Sequence, residues 1–233
     1  MMALSSTPGS SLHGSAVMAE HLRAYLMASA PGPCSVTLSH ATVASVPCGL
    51  VDVRQEVPGL VILPAPVWSH PEVRFRVHPE VARRLREAAE VLPSDVRLAF
   101  WEGLRPITVQ KQLWDTSLSY LRSAYPGLSS EELETAVEQF VAPPHGPAPP
   151  HSTGSAVDVA PVNAFGQVLN PGDAWGRLGV DVLSRVLQST GLANYSPEWW
   201  HWSYGDAEWA RAYDCAPLAF ATASEFDGPG GGI

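Results

Sequence analysis

Positive charge is scarce in this chain. Among 233 residues there is a single lysine, Lys111, beside 13 arginines, and 14 basic groups face 23 acidic ones for a net charge of -9. That balance repels phosphate backbones and anionic lipid, so nucleic acid and a charged membrane surface are poor partners. Cysteine is equally sparse. Cys34, Cys48 and Cys215 are odd in number, far apart and form no C-x-x-C pair, which argues against a disulfide framework and against a thiolate zinc site. No apolar run approaches the roughly 18 residues that span a bilayer. The short stretch at 24–30 follows Glu20, where an export signal would carry positive charge. A cytoplasmic location is the expectation.

What is present is apolar material in quantity. With 45% hydrophobic and 16% charged positions, the chain can bury one sizeable core. Small residues without periodicity at 1–15 and the Gly-rich end at 227–233 read as loose termini. No repeat or linker divides the remainder, which leaves one domain over 16–226. Within it, Val81, Leu85, Ala88 and Leu92 recur at helical spacing over 80–92. Val96, Leu98 and Phe100 then alternate as in a half-buried strand. A second helix carries Val109, Leu113, Trp114, Leu118 and Leu121 after the turn at Gly103-Leu104-Arg105-Pro106. The capping box Ser129-x-x-Glu132 announces a third, with Leu133, Val137 and Phe140 on one face. Five prolines in the eight residues 143–150 exclude helix and central strand there. Further on, 155–162 reads as a strand, 178–189 as a helix closed by Gly191, and 199–204 as an aromatic strand or tight turn. Helices packed on a small, mainly antiparallel sheet give an α+β domain.

Two segments carry chemistry. His151-Ser-Thr-Gly-Ser-Ala-Val-Asp158 sets an imidazole and a carboxylate seven residues apart, with Gly154 placed where a turn can fold one toward the other. Glu198-Trp-Trp-His201 adds a second carboxylate and imidazole three apart. Two imidazole nitrogens and one carboxylate oxygen, from His151, Asp158 and His201, are the ligand set of a catalytic zinc site with a fourth position open; Glu198 remains as a base. Either segment alone is equally compatible with a structural role, in which Asp158 ends a strand and the tryptophans fill the core. His145, in the Pro-rich stretch, is a rival ligand. Trp199, Trp200 and Trp202 read as packing around the site.

The combination H-x6-D followed by E-x-x-H, with tryptophans around it, resembles the VanX-type zinc D-alanyl-D-alanine dipeptidases. These belong to the wider zinc D,D-peptidases, which share a fold with hedgehog signalling domains. Glu102-Gly-Leu-Arg105-Pro106 is similar to that family's G-Y-R-P element, and the likeness runs from about Val51 to Tyr213. The resemblance implies one zinc per chain on His151, Asp158 and His201, Glu198 as general base and acid, and Arg105 on the oxyanion. It also implies a small dipeptide substrate, D-Ala-D-Ala or a close relative. Two departures stand out. Only 39 residues separate Asp158 from Glu198, a shorter segment than the family uses to hold the substrate ammonium, and Pro149 stands where the family has a binding serine. Asp173 is the nearest substitute for the ammonium partner, and substrates altered or blocked at the amino end are expected to be tolerated. The alternatives are amide hydrolysis of a modified peptide-like molecule of specialised metabolism, a secreted murein peptidase, and a non-catalytic zinc-stabilised binding module. Retention of both Glu198 and Arg105 disfavours the last.

Overall fold

A computed structural model describes residues 49–145 and 147–218, together with Leu22 and Ala24. The termini expected to be loose, Cys34, Cys48 and nearly all of the 24–30 stretch lie outside the described residues. Among the described residues no helix is long and apolar enough to cross a membrane.

The central element is a five-stranded sheet built from β2 (Val61–Ile62), β4 (Val96–Glu102), β5 (Ala156–Asn163), β6 (Ala193–Asn194) and β7 (His201–Ser203), in the order β2-β4-β5-β7-β6. Only β2 and β4 run parallel; the other three pairs are antiparallel. A separate antiparallel pair joins β1 (Val51–Asp52) to β3 (Arg76–Val77). The α+β architecture therefore agrees with the sequence reading.

Alternation along the strands gives the sheet two distinct faces. Leu98 and Phe100 of β4, Val157 and Val159 of β5 and Trp202 of β7 point into the main core. They meet α2 (Pro79–Val91) and α6 (Ala174–Ser189), which contribute Val81, Leu85, Leu183 and Leu187. Each of these aliphatic side chains stabilises the fold by roughly 1.5–3 kcal/mol through burial. The opposite face carries Ala99, Ala160 and Val162 under Trp101 and Trp199. A second core forms where α3 (Ile107–Ala124) packs on α4 (Ser130–Val137), joining Leu113, Trp114, Leu121, Leu133 and Val137 with Leu22.

Element ends follow local chemistry. Pro79 opens α2 at a position that needs no N–H, with His78 Nδ1 accepting from the Glu80 amide. Both halves of the Ser129/Glu132 capping box are formed at α4. Two expectations change. α6 begins four residues before 178, because the Asp173 carboxylate caps it by accepting from the Gly176 amide at 2.7 Å. The described residues of the Pro-rich stretch are loop up to Pro149, but Pro150 starts a single-turn helix, α5 (Pro150–Thr153). Proline at the first helical position loses no hydrogen bond, so proline density alone did not exclude it. Two short helices, α1 (Val53–Glu56) and α7 (Ala207–Ala212), were not anticipated.

Candidate metal centre

The registers of β4, β5 and β7 put Glu102, Asp158 and His201 in one row across the sheet. Strict alternation would leave Glu102 on the core side with Phe100. A bulge between Phe100 and Glu102, absorbing Trp101, shifts the parity; such bulges re-aim a side chain. Glu102 thereby joins Asp158 and His201 on the face away from the main core.

His151 arrives from α5. Gly154 closes that turn in the left-handed conformation, φ 72°, which a residue with a Cβ adopts only with strain. The chain then reverses into β5 and brings Asp158 back beneath the imidazole. His151 Nδ1 lies 2.7 Å from the Gly103 carbonyl oxygen. That oxygen can only accept, so Nδ1 carries the proton and the Nε2 lone pair is turned toward Asp158 and His201. Gly103 is itself constrained: a Cβ there would stand 2.6 Å from Val77 Cγ1 and 2.9 Å from the Arg76 carbonyl oxygen.

The Glu198–His201 turn is held by its backbone. The His201 amide donates to the Glu198 carbonyl at 3.0 Å, and the Glu198 amide donates to the Tyr195 carbonyl at 2.8 Å. Asn194 Nδ2 donates to the carbonyls of both Glu198 and His201. This knot aims the two side chains the same way, with Glu198 Oε2 at 3.8 Å from His201 Nδ1.

Three buried ligand atoms converge. His151 Nε2 and His201 Nδ1 are 3.1 Å apart, and each lies within 3.3 Å of Asp158 Oδ1; one ligand atom from each of the three residues can be chosen with all of them inside 4.8 Å of one another. A proton on His201 Nδ1 satisfies one neighbour at a time, whereas a cation is bound by all three. The donor set therefore fits a divalent metal with nitrogen and oxygen preference. Burial alone would raise the Asp158 carboxyl, but the His151 and His201 imidazoles packed against it outweigh that and hold it far below the usual carboxylate range. It is an anionic ligand across the physiological range.

Arg105 flanks the centre. It pairs with the fully buried Glu102, Nε and Nη2 both donating to Oε2, and Nη1 donates to Gln110 Oε1 at 2.9 Å. Burial pushes the guanidinium pKa down, yet Glu102, Asp158 and Glu198 together hold it above its ordinary value, so it stays charged. Arg105, His151, Asp158, Glu198 and His201 all line a cleft of about 350 Å³ whose apolar walls include Trp68, Leu113, Phe140 and Trp200. Tyr195 also lines it. Burial and the nearby Glu198 raise its pKa, and the neutral hydroxyl donates to the Gln139 carbonyl at 3.2 Å.

All five sequence candidates for metal binding and catalysis thus meet at one cleft. Asp173 does not: it is exposed, caps α6 and is absent from the cleft lining. Its carboxylate is engaged by the helix it starts, away from the cleft in which the substrate ammonium was expected to meet it. His145 is exposed, stacks edge-on against Trp114 and stands outside the ligand cluster. Trp202 is core, Trp199 packs on Trp101, and Trp200 reaches the cleft wall. Sequence reasoning missed Glu102, Gln110, Asn194, Tyr195 and Trp68. For Glu102 the i, i+3 spacing to Arg105 was a usable signal; for the rest the placement is purely tertiary.

No protein-family model matches the chain. It is similar to a D-alanyl-D-alanine dipeptidase of Synechocystis sp. (strain ATCC 27184 / PCC 6803 / Kazusa), 27% identical over 176 aligned positions, covering 58% of this chain and 71% of that protein. The resemblance read in the sequence is thereby met by an independent one. Among solved structures, a mutant of the vancomycin-resistance D,D-pentapeptidase VanY in complex with Zn(II) aligns with a TM-score of 0.43 and 19% identity, covering 64% of this chain and 84% of that chain. VanYB in complex with D-alanine-D-alanine aligns with a TM-score of 0.43 and 20% identity, covering 60% and 80%.

Proposed function

We propose that the protein is a zinc-dependent peptidase that hydrolyses the amide bond of a small dipeptide, D-Ala-D-Ala or a close relative, as a cytoplasmic enzyme. The observation that carries this reading is the convergence of His151 Nε2, Asp158 Oδ1 and His201 Nδ1 beside an acid and a cation, Glu198 and Arg105, in one cleft. The similarity to a D-alanyl-D-alanine dipeptidase supports the choice of substrate.

His151, Asp158 and His201 would hold the metal. When bound, zinc supplies a Lewis acid and lowers the pKa of water from 15.7 toward ~7. Glu198, close to the three ligands but outside their cluster, takes a proton from the attacking water and returns it to the departing amine, a role worth ~10²–10⁴-fold. Arg105 keeps its charge and offers its unengaged N–H groups to the oxygen on which negative charge develops. The Gly103 carbonyl holds the His151 tautomer, and Asn194 holds the turn that carries Glu198 and His201.

A second substrate reading has one specific support. The cleft is large enough for a drug-sized ligand and its walls are aromatic and aliphatic, which suits a longer or N-blocked peptide-like molecule. The deciding experiment is D-alanine release from D-Ala-D-Ala and from N-acyl-D-Ala-D-Ala by the zinc-loaded protein. Turnover of the free dipeptide establishes the first reading, turnover of the acylated one alone the second, and absence of both refutes the peptidase assignment.

A further inference from the structure

The mechanism above uses Arg105 and leaves Glu102 and Gln110 without a task, although both are buried beside it. Glu102 is completely shielded from solvent. Its Oε2 accepts from Arg105 Nε at 3.2 Å, from Arg105 Nη2, and from Trp68 Nε1 at 3.3 Å. Its Oε1 is equally buried and has no hydrogen-bond partner among the described residues.

This is an unfavourable way to stabilise a fold. A buried ion pair gains little or nothing over well-packed apolar side chains once desolvation is included, and an unsatisfied carboxylate oxygen adds a further penalty. The chain also carries a bulge that places Glu102 on this face instead of in the core. Two costly features meet at one residue, and what they produce is a fixed guanidinium.

Donor arithmetic shows what is fixed. Arginine has five N–H groups in one plane. Glu102 takes one on Nε and one on Nη2, while Gln110 takes one on Nη1. One N–H on each Nη remains. Gln110 is anchored in turn, its Nε2 donating to the carbonyl of Ala142, just ahead of the Pro-rich stretch, at 2.6 Å.

We infer that Glu102 and Gln110 form a two-sided clamp that orients Arg105 so that its last two donors are presented to the reacting carbonyl, which makes Glu102 a positioning residue of the reaction. The inference rests on the peptidase reading for its kinetic consequence. The clamp itself is a property of the free protein and is tested separately.

The kinetic test uses the zinc-loaded full chain with D-Ala-D-Ala, comparing wild type, Glu102→Gln, Arg105→Gln and the double variant. Misplacing a contact by about 1 Å can cost ~10²-fold, so Glu102→Gln is expected to lower kcat about 10- to 100-fold with little change in KM. Because Glu102 acts through Arg105, the double variant should be no slower than Arg105→Gln alone. Glu102→Asp, which keeps the charge at shorter reach, should recover part of the loss. Multiplicative losses in the double variant, or wild-type kcat in Glu102→Gln, overturn the proposal. The independent readout is 15N NMR of the Arg105 guanidinium. Wild type should give separately resolved Nη signals from hindered rotation, and Glu102→Gln should collapse them. If wild type cleaves neither D-Ala-D-Ala nor its N-acyl derivative, the peptidase reading falls by itself, and resolved or collapsed Nη signals in wild type still decide the clamp; if only the acylated substrate is turned over, the same variants are compared on it. Should Glu102→Gln not fold, Gln110→Met removes the acceptor on Nη1 and carries the same two measurements.

Discussion

Replacing Gly103 by alanine tests how tightly the fold is coupled to the metal centre. The added methyl would stand 2.6 Å from Val77 Cγ1, 2.9 Å from the Arg76 carbonyl oxygen and 3.0 Å from the Arg74 carbonyl oxygen. Val77 is fully buried and the two oxygens belong to backbone, so neither side yields easily. Restoring an ordinary 3.4 Å to the nearest contact requires a shift of roughly 0.8 Å in a densely packed region. The Gly103 amide donates to the Arg74 carbonyl, and the Gly103 carbonyl accepts from His151 Nδ1. The shift is therefore transmitted to His151, the proposed metal ligand, on one side and to the Glu102–Arg105 pair on the other. Overpacking of this kind costs about 1–3 kcal/mol, and loss of the partner that orients a ligating histidine typically weakens metal binding ~10–100-fold. Urea unfolding of the metal-free protein reads the first effect, and zinc competition against a chelator reads the second. Wild-type values in both measurements would refute the coupling of this turn to His151.

Glu198→Ala is expected to retain stoichiometric zinc and to lose turnover by ~10²–10⁴-fold; near-normal turnover of the zinc-loaded variant would remove Glu198 from proton transfer. Asp173→Ala should leave KM for D-Ala-D-Ala unchanged and lower stability by about 1 kcal/mol through the lost cap of α6, whereas a KM rise confined to free-amine dipeptides would return Asp173 to the substrate site. Asp52 caps α1 and pairs with Arg54, whose hydrogen bond holds the carboxyl below its ordinary 3.8 despite burial. Its contribution is thus present above the unfolded value and lost as pH falls through the lower folded one. Asp52→Asn should cost about 0.5–1 kcal/mol at neutral pH, discounted for the half-exposed Arg54, and converge with wild type in acid; an undiminished difference in urea midpoints in strong acid would contradict the pairing.

The site was legible where its chemistry is local. H-x6-D is bent back by Gly154 within a few residues, and E-x-x-H is closed by one backbone hydrogen bond, so each pair was readable within its own segment, whereas joining the two pairs rested on the motif combination and its resemblance to the dipeptidases. Helices were equally legible, because Val81, Leu85 and Ala88, or Leu113, Trp114 and Leu121, mark one face without tertiary help. Glu102 was hidden by the bulge at Trp101: strict alternation assigns it to the side of Phe100, and only strand pairing reveals the change of parity. Trp68 and Tyr195 come from stretches without periodicity, and their approach to the cleft depends on the whole fold. Asp173 sits outside the cleft for a physical reason. A carboxylate just ahead of a helix has an amide to accept from at once, and this local role prevailed over a distant one.

The central claim is a divalent metal held by His151, Asp158 and His201 in a hydrolytic cleft. Its most direct test is metal analysis after zinc loading and gel filtration, on wild type and on His201→Ala in parallel. The expected result is about one zinc per wild-type chain and none retained by His201→Ala; full occupancy in His201→Ala, or no zinc in wild type, would contradict it.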